Sequence, residues 1–515
     1  MPYDYRPYPY IAPPGLTAPE PRHRVVIVGA GPIGLAMALD LANYDVPSVI
    51  LDDNDVVSVG SRAICWSKRS LEILDRLGVG AKVVEKGVTW KVGRTFHREA
   101  EVFNFDLLPE EGHKMPAFVN LQQYYVEEYL IEAVQANDLI DVRFKNTVTN
   151  VVQSADCAVV EIETPDGSYT LEADYLIACD GAKSPIRGMM GLDFKGELFE
   201  ERFLIADIEM QADFPSERRF WFEPTFHPGQ SALLHKQPDD IYRIDLQLGW
   251  DADPEEERKP ENVIPRIEKV VGHRDFKLDW VSVYTFQCRR LERFVHDRVI
   301  FVGDSAHIVS PFGARGGNGG LQDVDALGWR LAAVLEQRAP PAILGDYDTE
   351  RVHGAEENIM NSSRATKFMT PADGVEHLLR DQVLALAGKA PFARAWVNSG
   401  RLSVPCVYPS DGADDPALPR AARPGAVAPD APWDNGWLLD ALGGRAVVLA
   451  IGCEISEVSG AQVVSPPISQ FVRERYLGDA RSAVYLIRPD QVVAARWPYV
   501  DPASIDRAVA AMWRQ

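Results

Sequence analysis

Six residues near the start of the chain, GAGPIG at 29–34, constrain its fold more than any other feature. They follow a short, wholly apolar run, Val25 to Val28, of the kind a buried parallel strand requires. They precede a helical pattern in which Leu35, Ala38, Leu39 and Ala42 form an apolar stripe at spacings of three and four. A second apolar strand, Val49 to Leu51, ends at Asp52, which completes a βαβ unit of about 30 residues. In this setting Gly29 permits a tight turn, Gly31 keeps no side chain between backbone and a pyrophosphate, and Gly34 lets helix and strand pack closely. The helix start adds free N–H groups and the positive end of a dipole. Asp52 is placed to accept hydrogen bonds from a ribose; Asp53 is its neighbour, and strand alternation admits only one of the two. The plainer alternative is a Gly-rich turn in an ordinary α/β domain.

Two later segments repeat this grammar. Tyr175 to Cys179 is a buried-strand run followed by DGAKSPIR, and Val299 to Val302 is another followed by GDSAHIVSPFGARGGNGGLQDVDALGWRLAAVL. Each puts an Asp-Gly or Gly-Asp pair at the carboxyl end of a strand, where α/β folds hold ligands. GARGGNGG has five glycines in eight residues and feeds a helix expected over Leu321 to Leu335, an anion-binding arrangement. The first and last of these segments lie roughly 270 residues apart, so the nucleotide domain is expected to be discontinuous. Between them, residues 191–295 alternate: Arg243, Asp245 and Gln247 share one face, and Tyr242, Ile244, Leu246 and Leu248 the other. Arg219, Trp221 and Glu223 alternate with Phe220 and Phe222 in the same way, which predicts an antiparallel sheet with one apolar face. Residues 251–263 read as a charged loop or helix start, and six prolines from Pro409 to Gly436 mark a boundary or long surface loop ahead of a strand-rich C-terminal α/β domain.

At 515 residues the chain is long enough for about three domains. Its formal charge of -22 argues against nucleic-acid or anionic-membrane partners, and solubility explains it sufficiently. The six cysteines are never closer than 22 residues, so there is no CxxC pair and no zinc-type cluster, and the scattered thiols suit a reducing cytoplasm. No run approaches the 18 or so apolar residues of a membrane span, and the N-terminus lacks the pattern of a secretory signal. With seven prolines and four tyrosines, residues 1–23 predict an extended arm, either loose or laid along this subunit or a neighbour.

The three motifs in this order resemble the single-component (class A) FAD-dependent aromatic hydroxylases, the p-hydroxybenzoate and phenol hydroxylase superfamily. GAGPIG is similar to its dinucleotide fingerprint, ACDGAKSPIR to its Asp-Gly motif, and VGDSAHIVSPFGARGGNGGLQDVDALGW to its Gly-Asp motif and flavin loop. The resemblance covers residues 25 to about 370 well and the remainder more weakly. RPGAVAPDAPW, LLDALGGRAVVL and YLIRPDQVVAARW resemble the thioredoxin-like tail of the phenol hydroxylase and 3-(3-hydroxyphenyl)propionate hydroxylase branch, here without CxxC and so without dithiol chemistry. The implied fold is α/β: a 1–23 arm, a discontinuous Rossmann-like FAD-binding domain (24–190 and 296–395), an inserted antiparallel-sheet substrate domain (191–295, with contributions from about 86–118), and a thioredoxin-like domain (396–515).

The same resemblance implies an FAD site of Gly29, Gly31, Gly34, Asp52 at the AMP ribose, Arg62 (in GSRAI) near the pyrophosphate and ribose, and Gln123 (in NLQQYYVEE), with Gln122 as the other register. It adds Asp180, Gly303, Asp304 at the ribityl chain, and Pro311, Gly313, Gly316 and Asn318 against the isoalloxazine ring. Where the family usually has Gly-Gln, this loop has Ala314 and Arg315, which would bring an extra cation to the ring. Free N–H groups around Gly319 and Gly320 would stabilise the reduced, anionic flavin. A helix-start and packing role for His307 is preferred to a general base.

The implied activity is NADH- or NADPH-consuming hydroxylation of a phenolic or related electron-rich aromatic compound by O2, through a flavin hydroperoxide. No second G-x-G-x-x-G, catalytic triad or metal motif is present in the sequence. Candidate substrate-pocket residues are Arg219, Trp221, His235, Arg243, Tyr284 and Gln287, where a cation would suit a carboxylate and Tyr or His could assist phenol deprotonation. The alternatives are an FAD-dependent reductase or dehydrogenase without oxygen insertion, and a flavin-binding scaffold. The expected partner is a small aromatic substrate, with a homodimer as a further expectation.

Overall fold

A computed structural model describes residues 3–249, 251–311, 313–371, 374–397 and 402–514, apart from the side chains of 197–201 and 286. The first sheet has five parallel strands in the order Val299–Phe301, Gly167–Ala178, His23–Val28, Ser48–Asp52 and Ile140–Phe144. It therefore takes strands from both sides of the intervening 191–295 stretch. Val25, Val26 and Ile27 are fully buried, as are Val299, Ile300 and Phe301, which is why these strands read as uninterrupted apolar runs. The first helix, Pro32–Ala42, is buried from Gly34 to Ala42 on every side, rather than along one stripe. Helices Gln123–Gln135 and Gly316–Leu335 flank it.

The second sheet runs His307–Ile308, Lys277–Arg290, Lys195–Glu209, Ile241–Leu248, Ser231–Lys236, Glu217–Phe222, Val92–His97 and Ala100–Asp106. Its pairs are antiparallel except one: Glu217–Phe222 runs parallel to Val92–His97. The expected purely antiparallel sheet is corrected at this point, because the hairpin of residues 92–106 enters from the N-terminal half of the chain. Residues 251–263 form two short helical segments, Pro254–Glu257 and the start of Pro260–Val271. The apolar face of the sheet packs on the second of these, through Ala206, Ile244 and Leu246 against Val263 and Ile267. Arg243, Asp245 and Gln247 do share the other face, but that face is buried too.

The N-terminal arm lies on this chain. Tyr3 packs on Tyr124 with ring centroids 4.2 Å apart, Tyr8 stacks on Phe144 at 4.9 Å, and the Tyr5 hydroxyl accepts the Gly60 N–H at 3.0 Å. At the other end, the sheet Gln462–Val464, Val447–Ile451, Ala483–Ile487 and Val493–Trp497 is antiparallel apart from its first pair. A buried ionic web docks it on the nucleotide module. Arg69 donates to Asp325 (2.5 Å), to the Gln491 side chain (2.7 Å) and to the Asp490 carbonyl (2.8 Å); Arg488 bonds both Glu350 oxygens (2.5 and 3.0 Å); the Trp329 indole N–H reaches Asp490 at 3.2 Å. Among the described residues no helix is long and apolar enough to cross a membrane.

One carboxylate beside this web, that of Asp40, makes no salt bridge among the described residues. Asp40 is buried, its Oδ2 is unbonded, and a Cβ on Gly328 would fall 1.8 Å from that oxygen, so only glycine leaves it room. Burial pushes its carboxyl up to about 8; Arg76 opposes the shift, and Asp325 and Asp490 add to it. The native group thus keeps its proton to about pH 8, whereas an unfolded Asp loses it near pH 4. Between those values the native state binds more protons, and stability falls as pH rises, with a slope of up to about 1.4 kcal/mol per pH unit. Asp40→Asn should remove this slope, so that thermal melting from pH 5 to 9 shows the variant gaining on the wild type toward pH 9.

Candidate active site

The glycine turn is shaped by contacts, not only by sequence. Gly29 has φ +107°, and a Cβ there would sit 2.4 Å from the Cys179 carbonyl oxygen. A Cβ on Gly34 would sit 1.9 Å from the Gly29 oxygen. Gly31 is different: nothing lies within 4 Å of the position its Cβ would take. Asp52, not the exposed Asp53, reaches this turn, where its carboxylate accepts the Ala30 N–H (2.5 Å) and the Asn54 N–H (2.8 Å). Burial raises its carboxyl to about 6. On the adjoining strand end, Asp180 accepts from the Ser184 hydroxyl (2.7 Å) and the Ile186 N–H (3.0 Å) through Oδ2, while its buried Oδ1 has no partner.

Arg62 lies on an exposed loop with φ +41°, unusual for a residue other than glycine. Its guanidinium acts on the carboxylates of both Asp304 and Glu127. Gln123 is held on three sides: its Oε1 accepts the Ala63 N–H (3.2 Å), and its Nε2 donates to Ser58 (3.0 Å) and Glu127 (2.8 Å). Its neighbour Gln122 is buried with neither side-chain polar atom bonded. Gln123 thus braces the loop that carries Arg62, and Gln122 is the one with unused hydrogen-bonding capacity.

Asp304 follows the strand Val299–Phe301. It is exposed to solvent although protein surrounds it, as on a cleft wall, and no protein hydrogen bond to its carboxylate is found among the described residues. Burial raises its carboxyl, opposed by His307 and Arg62. Gly316, whose Cβ would lie 3.8 Å from the Asp304 Oδ1, opens a helix that extends to Leu335. This helix starts five residues before the expected Leu321, because its first turn is made of the glycines themselves. The Gly319 N–H is already spent on the Arg315 carbonyl (2.7 Å), so the free donors of the first turn lie earlier, at 316–318, and not around Gly319 and Gly320. Asn318 pins that turn: its Oδ1 accepts the Ser67 N–H (2.9 Å), and its Nδ2 donates to the Cys65 carbonyl (2.8 Å). Pro311 and Gly313 (φ +98°) form the turn before it. Arg315 is buried, and its head bonds Asn358 (3.1 Å) and the Leu402 carbonyl (3.3 Å). His307 is also buried, bonded to Asp323 at 2.6 Å.

The six pocket residues separate by strand parity. Asp207, Arg243 and His235 pair in register across three strands, with Arg218 next in the row, all on the buried inner face. Arg243 donates to Asp245 (2.8 Å) and to the Arg62 carbonyl (2.5 Å), which ties the sheet to the Arg62 loop. Burial, reinforced by Arg218 and Arg243, lowers the His235 pKa well below the usual histidine value, so the ring is neutral at pH 7. Tyr284 is on the same face, opposite Phe203, and is 40% exposed. Arg219 and Trp221 are on the outer face and are corrected accordingly: Arg219 pairs with Glu217 (2.7 Å) over the Phe214 ring, and Trp221 stacks on Phe96. Gln287 has the parity of the outward Val281 and Val283, opposite to Tyr284 and Cys288. Sequence alternation had no means of flagging Arg218 or Asp207, whose polar heads are legible only once the row is assembled.

The sequence profile of the family described as "FAD binding domain" matches residues 22–362. The chain belongs to that family. A 3-(3-hydroxy-phenyl)propionate/3-hydroxycinnamic acid hydroxylase of Mycolicibacterium smegmatis is 26% identical over 375 residues, 72% of this chain and 66% of that protein, so the match spans just under two thirds of that relative. A 12-dehydrotetracycline 5-monooxygenase/anhydrotetracycline 6-monooxygenase of Streptomyces rimosus is 28% identical over 501 residues, covering 91% and 94% of the two chains. The solved structure of the flavin-dependent monooxygenase PieE, in complex with FAD and substrate, superposes with a TM-score of 0.80 at 22% identity over 97% of this chain and 100% of that one, a likeness of fold.

The residues present fit FAD. Gly31 leaves open space at a helix start, the Asp180 Oδ1 and the Gln122 amide are buried without partners, and the Asp304 carboxylate is free in a cleft. Gly31→Val and Gly34→Val should therefore fail differently. The first, with nothing near its Cβ, should keep the wild-type fold while flavin affinity falls at least tenfold; the second should lose thermal stability as well. Flavin titration alongside circular-dichroism melting checks both.

Proposed function

We propose that the chain is an FAD-dependent monooxygenase that consumes NADH or NADPH and O2 and hydroxylates a phenolic or related electron-rich aromatic compound. The convergence of Asp304, the Arg62 loop and the inner sheet face carries this reading: Arg62 acts on Asp304, Arg243 of the sheet donates to the Arg62 carbonyl, and Tyr284 stands exposed on the same sheet face. Bound FAD would supply the electron transfer from dihydronicotinamide to O2. The turn at Gly31 would hold its pyrophosphate, Asp52 and Asp304 would accept from its ribose and ribityl hydroxyls, and the free N–H groups at 316–318 would face the pyrimidine end of the ring. Tyr284 is the residue of this chain best placed to touch substrate. Behind it, neutral His235 and the Arg218–Arg243 row form a wall that favours a substrate bearing a carboxylate or a phenolate. The relatives named as hydroxylases and monooxygenases support the reaction class.

The C-terminal unit is read as thioredoxin-like and structural: its two cysteines, Cys406 and Cys453, form no CxxC, and it meets the nucleotide module through ion pairs and through Trp513 packed on Trp329. None of the six cysteines is in a disulfide, which fits a reducing cytoplasm.

The test is NADH and NADPH oxidation by purified protein against phenols, phenolic acids, anilines and hydroxypyridines, with oxygen uptake and product mass followed together. Stimulation is expected with a product about 16 mass units heavier, its oxygen from O2; Tyr284→Ala should raise KM several-fold with flavin content unchanged. Substrate-dependent turnover that proceeds anaerobically without added oxygen would instead support the reductase reading.

A further inference from the structure

The helix Gly374–Ala387 is apolar on two opposite faces. Inward, Val383, Leu384 and Ala387 join Phe203, Phe220 and Phe222 of the sheet, and Arg380 pairs with Glu223. Outward, Val375, Leu378, Leu379 and Leu386 are 75, 62, 64 and 37% exposed. At about 100° per residue these four fall within roughly 100° of arc, with exposed Gln382 at its middle. Phe392 and Trp396 follow at once, edge to face at 5.5 Å and both exposed. Among the described residues, six of the fifteen exposed large apolar side chains lie in this stretch of 22 residues, whereas the others are scattered. A concentration of this kind marks an interaction surface.

We propose that this stripe pairs with the same stripe of a second copy, helix antiparallel to helix, about a two-fold axis passing near Gln382. The charges favour this occupant. Antiparallel pairing about this axis brings Glu376 beside the partner subunit's Lys389, whereas parallel pairing sets like against like; Asp381 is held by Arg380 of its own helix. A two-fold axis at 382 also lays Leu378 on the partner subunit's Leu386, so that each stripe fills the other. The six side chains expose on the order of 600 Å² per copy, close to the roughly 800 Å² per partner of a standard interface. The chain's net charge of -22 disfavours an anionic membrane as the occupant. Because the inward face of the same helix closes the aromatic end of the inner sheet face, pairing would also steady a wall next to His235 and Arg243.

Analytical ultracentrifugation of the full chain at about 10 µM should give twice the 57.2 kDa chain mass. Leu378→Glu with Leu379→Glu should give the single-chain mass with unchanged circular dichroism and flavin content. Gln382→Cys should form a disulfide-linked dimer in air on a non-reducing gel, a band that the wild type lacks. If the glutamate variant does not fold, the cross-link decides. A single-chain mass for the wild type, a folded glutamate variant that keeps the two-chain mass, or a Gln382→Cys variant without cross-link would overturn the proposal.

Discussion

The carboxylate of Asp323, buried with no solvent exposure, holds together the segments on which the cleft depends. One oxygen accepts the Gly303 N–H (2.9 Å) and the His307 ring (2.6 Å), and the other accepts from Arg351 (2.6 Å). Arg351 continues to the Gly319 carbonyl (3.2 Å) and the Tyr408 hydroxyl (2.8 Å). Burial alone would raise the Asp323 carboxyl, but His307 and Arg351 outweigh it and hold it below the ordinary range. Four stretches of chain are thereby fixed to one ion. Removing one partner from such a cluster costs about 3–5 kcal/mol, since the remaining charge is left buried and alone. The consequence for the site is a division of labour. Asp323 fixes the turn, so the nearby Asp304 need make no structural bond, and its carboxylate accepts none among the described residues.

What the sequence disclosed follows from range. The βαβ unit at 23–52 is specified by neighbours within one turn of helix or strand, so Gly29, Gly31 and Gly34 were legible from spacing, while the choice of Asp52 over Asp53 comes from the structure. The start of the helix at Gly316 was not legible, because glycine is a helix breaker by propensity. Here the first turn is pinned by Asn318 to a strand residue 251 positions earlier; a Cβ on Gly320 would fall 2.7 Å from the Ile33 Cδ1, and Gly303 holds φ +67°. The inner sheet face shows a second limit. Alternation told which residues share a face, but not that the polar face is covered, since the cover comes from the 60–67 loop and a helix far along the chain. Arg219 and Trp221 were grouped with His235 and Arg243 by chemistry, and strand parity separates them.

The docking of the C-terminal unit left no sequence signal for a related reason. Arg69 and Gln491 are 422 residues apart, and each charge of the web reads in isolation as a solvated residue. Buried ion pairs contribute little net stability against apolar packing of similar volume. What they impose is geometry: the Arg69 bonds to Gln491 and to the Asp490 carbonyl, and the Arg488–Glu350 pair, form only in one seating of the unit. This seating sets the unit against the helices Lys68–Arg76 and Gly316–Leu335, through Arg69 on one and Trp329 on the other.

The Arg62 loop shows how function is supported by strain held elsewhere. A non-glycine residue at φ +41° costs roughly 1–2 kcal/mol and persists only where the surroundings over-determine it. Three independent contacts do so: Arg243 donates to the Arg62 carbonyl, Gln123 accepts the Ala63 N–H, and the arm's Tyr5 accepts the Gly60 N–H. The left-handed turn directs the Arg62 side chain to solvent between Asp304 and Glu127, where a pyrophosphate would need a cation. The substrate sheet, the nucleotide module and the N-terminal arm thus each hold one end of the same four residues. The arm, for which composition left a loose tail and a docked segment both open, supplies one of the three contacts that hold this loop.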